Sequence, residues 1–269
     1  MMLVRLLCLA TAVAALRTSA AQRLRGGRRR VALSGWLDAF LPAPMSDEEF
    51  EADRRSRWPE QYAAPLDARA EPVDGDDALL ARIRPLLART QLETRPLAVA
   101  YDAAEHGWST TAFHDAVDCR GAALVFCRTE DGAEVGAYNP KGWASMGNAR
   151  PSPAAFLFNL EKGARKVRAE SYMGCNSISS DSPDRGINFG VEALCVNLRP
   201  DERDGDGGER RAYSKLGAYF RRDDNGGAGE ALWGGAGPAR LAELKVYTGV
   251  YEEGEDFPYA GAVMDMTSG

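Results

Sequence analysis

Two apolar runs, residues 122–127 and 135–138, flank a short polar stretch that holds Asp131-Gly132. This feature restricts the fold most. An Asp-Gly pair tolerates positive φ, so apolar runs on either side of it predict a β-hairpin. The other apolar runs are equally short: residues 96–101, 154–160, 194–198 and 241–247 each read as one strand. Helical signals are fewer. Asp76 or Asp77 can cap a helix with Leu79, Leu80, Ile83 and Leu87 on one side, and Pro85 should kink or split it. Ser109 can cap a second helix carrying Phe113, Ala116 and Val117. Many short strands and few helices predict an α+β, mainly β chain, a sandwich with helices at its margins.

The chain has 269 residues, 45% of them apolar and 27% charged, enough for one large domain with a buried core. Basic residues number 33 against 39 acidic ones, which argues against broad electrostatic binding of nucleic acid. Residues 1–37 depart from this balance. They hold seven arginines and no acid, so the rest of the chain carries a net charge of −13.

Residues 1–21 join Arg5, an apolar stretch and small residues ending at Ala20-Ala21, the pattern of a signal peptide. That stretch is too short for a comfortable membrane span, and the mature chain is expected to hold no transmembrane segment. Residues 22–37 are arginine-rich and acid-free, like a transit peptide. The two segments together resemble the two-part presequences of algae whose plastids carry extra membranes, although Ala21-Gln22 stands where phenylalanine is frequent there. Entry to the secretory route and delivery to a plastid are the expectation; a secreted, endomembrane or cytosolic location are the alternatives. Residues 38–77, rich in proline and charge, read as an extended lead-in to a domain over residues 78–269.

No catalytic motif emerges. The only histidines, His106 and His114, cannot form a three-histidine metal site, and H-E-x-x-H is absent. His114 lies near Cys119, but a spacing of five places the two imperfectly on one helix face, and a capping or solvent-exposed role is expected for it. Ser145 lacks the glycine two positions earlier that a nucleophile elbow needs. Gly227-Ala228-Gly229 lacks a third glycine and a preceding strand, and residues 204–208 would place Lys215 where a calcium loop needs glutamate. No metal, cofactor or catalytic residue is expected. Cys119, Cys127, Cys175 and Cys195 form no C-x-x-C and read as free buried thiols, with Cys119 the candidate redox thiol.

Ordered strings then run along the chain. These are Y-D-A-A-E-H-G-W-S-T-T-A-F-H-D-A-V-D from Tyr101, R-T-E-D-G-A-E-V-G-A-Y-N-P-K-G-W from Arg128, P-A-A-F-L-F from Pro153, N-F-G from Asn188, S-K-L-G-A-Y-F from Ser214 and L-K-V-Y from Leu244. Together they resemble the TLDc domain over about residues 78–250, and the extension from Val250 to Pro258 resembles its plant and algal branch. Gly147-Asn148 stands where the family carries glycine-glutamate. The resemblance implies two antiparallel sheets with flanking helices, an association with oxidative-stress protection, and no agreed catalytic residues. Several relatives bind the vacuolar proton pump, a partner open to this chain only if it is cytosolic.

Within the matching strings, Phe113, Phe156, Phe158 and Phe189 are expected in the core. Trp108, His114 and Trp143 are either architectural or a recognition surface. The expected function is a non-catalytic protein-interaction module with an unidentified protein partner. A thiol-dependent antioxidant enzyme and a ligand-binding sandwich are the alternatives. A fluorescent reporter at the C-terminus of the full chain is expected to reach the plastid, and to lose that location when residues 1–37 are removed. Cytosolic signal from both forms would contradict the presequence reading.

Overall fold

The computed structural model describes residues 46–259, apart from residues 59–61, 66, 148, 162–164, 169–180, 199–209, 218 and 223–229. Two compact units divide between Glu48 and Glu49, and beyond the first residues of helix α1 all that follows concerns the second, Glu49–Gly269. Residues 1–37, where a presequence is expected, Cys175 and residues 204–208 lie outside the described residues.

Helix α1, Asp47–Arg57, falls where composition reads as an extended lead-in. Its acidic start and its basic last turn (Arg54, Arg55, Arg57) complement the helix dipole, and Arg57 pairs with Asp53 one turn back at 2.9 Å. Charge placement, not apolar periodicity, favours this helix, so the hydrophobic pattern misses it.

Helix α2, Ala78–Ile83, starts at Asp77, whose carboxylate accepts from the amides of Leu79 (2.9 Å) and Leu80 (2.7 Å). Pro85 splits the pattern as expected, and the chain tightens into a 3-10 turn over Arg84–Leu87. Asp76, the other candidate cap, instead holds the fully buried Arg84 guanidinium at 2.8 and 2.5 Å. That guanidinium, which also donates to the carbonyls of Leu92 and Arg95, holds the Asp76 carboxyl below the usual carboxylate range.

The described residues then form β1 (Leu97–Asp102), α3 (Ala103–His106), α4 (Thr110–Val117), β2 (Ala123–Thr129), β3 (Glu134–Asn139), β4 (Phe156–Asn159) and β5 (Arg165–Arg168). Next come β6 (Ile187–Phe189), β7 (Leu194–Val196), β8 (Arg211–Tyr213) and β9 (Ala239–Gly249). The strand order is β5-β4-β3-β2-β9-β8-β7-β6, with β1 also on β9, and the ladders are antiparallel. β9 pairs with β2 over residues 241–248 and with β1 over residues 245–249, while Ala239 and Arg240 carry β8. The architecture is mainly antiparallel β with few helices.

The hairpin forms one residue differently from a two-residue turn. The Gly132 amide donates to the Thr129 carbonyl (3.0 Å), and Gly132 alone in the loop takes positive φ, +94°. A turn followed by a left-handed glycine makes a three-residue connection, and Asp131 keeps an ordinary φ.

β2 is apolar from Ala123 to Cys127 because both of its faces are buried there. Ala123, Val125 and Cys127 join one core cluster, with Val135, Ala137, Leu157, Leu244, Val246, and Phe113 and Val117 of α4. Ile187, Phe189, Leu194, Val196 and Ala212 of β6–β8 belong to the same cluster, an arrangement compatible with a two-sheet sandwich. Leu124 and Phe126 join a second cluster with Tyr138, Phe156, Phe158 and Tyr247, covered by Leu80, Ile83, Leu86 and Leu87. All four phenylalanines expected in the core are there.

Gly136 of β3 sits on the second face, where a Cβ would come within 2.2 Å of the Val125 carbonyl and 2.3 Å of the Phe158 ring. Gly136→Ala is therefore expected to cost about 2–3 kcal/mol in urea unfolding. Gly132→Ala meets only the cost of positive φ, about 1 kcal/mol. Equal costs at the two sites would contradict the packing described.

Candidate functional site

The C-terminal end of α4 and two loops converge on His114. Ser109 caps α4 as the sequence predicts, and its hydroxyl accepts from the Ala112 amide. The helix ends at Val117, and Asp118 and Trp143 then form a parallel bridge in which the Cys119 amide donates to the Trp143 carbonyl at 2.8 Å. That bridge carries the loop after β3 past the helix end. Gly121 and Gly142 permit the crossing: both take positive φ, and a Cβ on Gly142 would lie 2.0 Å from the Gly121 carbonyl oxygen.

His114 is buried at 6% exposure, not solvent-exposed as its lone occurrence implies. Its Nε2 donates to the Arg185 carbonyl at 2.8 Å. Its Nδ1 lies 2.8 Å from Asp118 Oδ1 and 3.0 Å from Ser145 Oγ, and the Ser145 hydroxyl donates to the other Asp118 oxygen. The ring thus ties α4 to the loop at residues 142–147 and to the segment at residues 181–185. Burial presses the imidazole toward its neutral form. The hydrogen bonds to Asp118 and the Arg185 carbonyl, with the charges of Asp118 and Asp181, outweigh it, and the net shift is upward.

Asp181 anchors the same loop from behind. It is fully buried and accepts from the amides of Ala144 and Ser145 at 3.1 Å. Ser145 takes φ +55°, so successive amides converge on one carboxylate as in a backbone nest. Arg150, itself 3% exposed, lies 3.6 Å from Asp181. Burial raises the Asp181 carboxyl above its ordinary range, against the pull of the Ala144 amide and the Arg150 charge.

Thr111, His114, Asp115, Asp118, Ser145 and Pro183 line an open cleft of about 400 Å³ in front of this cluster. Serine, histidine and aspartate meet here, but not as a nucleophile relay. A relay needs the carboxylate on one ring nitrogen and the serine on the other. Here Nδ1 faces both, Nε2 is spent on a backbone carbonyl, and the serine proton points to the carboxylate. The cluster joins segments and does not activate Ser145. Among the described residues no group of three or more His, Cys, Asp or Glu side chains is placed to hold a metal ion.

The other expected site residues are distributed differently. Trp143 is 1% exposed, with its ring edge-on to Phe113 (5.2 Å between centroids) and Phe189 (6.3 Å). Trp108 is 7% exposed beneath the Arg210 guanidinium at 5.5 Å. Both indoles belong to the core cluster, so the recognition-surface reading gives way to the architectural one. Cys119 is half-buried, with φ +59°, and no ring bond of His114 reaches it. Burial pushes the thiols of Cys127 and Cys195 up to about 12 and about 11.

Asp118 and Asp181 are the site residues that sequence reasoning misses. The spacing of four between His114 and Asp118 on a predicted helix is a readable signal. Nothing local points to Asp181.

A group whose folded pKa is raised adds stability that is fully present below its unfolded value, about 6.5 for imidazole, and lost as pH rises through the folded pKa. The unfolding free energy of the wild type relative to His114→Gln, from urea titrations, is thus expected to be larger near about pH 5.5 than near about pH 8.5. A difference that grows with pH would contradict the charged pairing of His114 with Asp118.

No curated protein matches the chain. The family model of the TLDc domain matches residues 76–210, half of the chain, from Asp76 of the buried ion pair through β7. β8 and β9 follow the matched residues, although β9 is the strand on which β1, β2 and β8 all pair. The chain belongs to the TLDc domain family.

Proposed function

We propose that this chain is a non-catalytic TLDc module that contributes to oxidative-stress protection by binding a protein partner. One observation carries the reading: the only Ser-His-Asp meeting point among the described residues is committed to joining three segments. No bond of the His114 ring reaches the thiol of Cys119, and burial pushes the thiols of Cys127 and Cys195 up, away from the reactive thiolate form. Family membership supports the protective role. Among the described residues no helix is long and apolar enough to cross a membrane.

Delivery through a signal peptide and a transit-like segment to a plastid forms part of this proposal. A chain carried across a membrane would not meet the cytosolic face of the vacuolar proton pump, so its partner would then differ from that of the pump-binding relatives.

The purified full chain is expected to consume hydrogen peroxide at most stoichiometrically with its thiols, with Cys119→Ser lowering the amount by no more than one equivalent. Repeated turnover that is lost in Cys119→Ser would overturn the non-catalytic reading and favour a thiol-dependent enzyme.

A further inference from the structure

After β9 the chain folds back over its own loops. The Val250 amide donates to the Pro96 carbonyl at 2.8 Å. Residues 251–259 then read Y-E-E-G-E-D-F-P-Y, with four acids, three aromatics and no base. The rings of Tyr251 and Phe257 stack at 3.8 Å between centroids. Arg95 receives them: its guanidinium lies 4.7 Å from the Tyr251 ring and meets the two Glu255 oxygens at 2.7 and 3.2 Å.

Glycine forms the floor of this groove. A Cβ on Gly121 would come within 2.9 Å of the Phe257 ring and 3.0 Å of the Pro258 carbonyl oxygen. At the far end the Tyr259 ring faces the Lys141 ammonium at 5.8 Å and the Arg150 guanidinium at 5.4 Å. Both cations are nearly buried, at 4% and 3% exposure. The groove thus presents Arg95, Lys141 and Arg150 around a glycine floor, and its occupant is acidic and aromatic.

The hold on that occupant is light. Glu252, Glu253, Gly254, Asp256 and Pro258 are exposed, and the bonds between Glu252 and Glu255 lie within the strap itself. At the Arg95 end its anchors are a part-exposed ion pair and a cation–π contact, which are individually weak in water. A strap held in this way is exchangeable. Tethering in cis gives it a high effective concentration, so a competing segment sees only the fraction of groove left open.

We propose that this groove is a recognition site for an acidic, aromatic-bearing segment of a partner protein, occupied in the free chain by residues 251–259. The assignment goes beyond the interaction role above by naming the surface and the chemistry of the partner. Peptide binding and peroxide turnover are read separately, so either can fail alone.

A fluorescein-labelled peptide of residues 250–259 serves as probe, with binding followed by anisotropy on the full chain. The wild type is expected to bind it weakly. The double variant Glu255→Ala, Phe257→Ala loosens the strap and leaves the groove, and is expected to bind at least about tenfold tighter. Adding Arg95→Ala should remove that gain. Thermal melting reports the fold of each variant; should Phe257→Ala unfold, Glu255→Ala alone, which removes only a part-exposed ion pair, is expected to tighten binding in the same direction. Equal affinity of wild type and a folded loosened variant, or no binding by the latter, would overturn the proposal. So would dimerisation of the loosened variant by exchange of straps, which would give the groove to a second copy.

Discussion

The pairing of β9 is the interaction on which the rest of the structure depends. It runs against β2, β1 and β8, so three ladders end on one strand drawn from residues 239–249. β2 lies at residues 123–129, more than a hundred positions earlier, and this contact closes a long loop before it gains anything in return. The hairpin of β2 and β3 can form locally, but a two-stranded ribbon is marginal in water, and only β9 joins it to β8 and the ladder beyond. The matched family segment ends before β8, so the physical unit is longer than the segment that similarity marks.

Burial of β2 on both faces sets where everything else can lie. Its alternate residues feed two clusters, one under α4 and β6–β8, the other under α2 and the 3-10 turn. The buried Asp76–Arg84 pair belongs to the second arrangement. The guanidinium satisfies carbonyls at Leu92 and Arg95, so the charge pins the segment leading into β1 instead of standing as an isolated buried ion. Arg95, at the end of that segment, in turn receives the strap of residues 251–259.

A second buried carboxylate organises the other side. Asp181 gathers the amides of the loop after Trp143, and that loop brings Ser145 to His114 and Asp118. Arg150 stands between Asp181 and the Tyr259 ring, so the histidine cluster and the strap groove share one guanidinium. In that cluster Nδ1 of His114 faces Asp118 and Ser145 together while Nε2 is held by the Arg185 carbonyl, so the ring ties the loops to α4.

Local chemistry determined much of this protein in advance. The caps at Asp77 and Ser109, the break at Pro85, the glycine turn at Gly132 and the run of short strands all follow from backbone sterics and side-chain bonding within a few residues. The ordered motifs carried the family. The indoles could not be placed locally, because an indole beside a turn reads alike whether it faces solvent or a core; packing against Phe113 and Phe189 decided for Trp143. Helix α1 escaped the apolar pattern, since charge order along its own sequence favours it. Which of two adjacent aspartates would cap and which would pair, which carboxylate would meet His114 at a distance, and where the acidic tail would lie were decided only by tertiary structure. The seats of Asp181 and of the acidic tail each depend on a charge brought close by chain far away in sequence, and Coulomb attraction and burial act on distance in space, not on spacing along the chain.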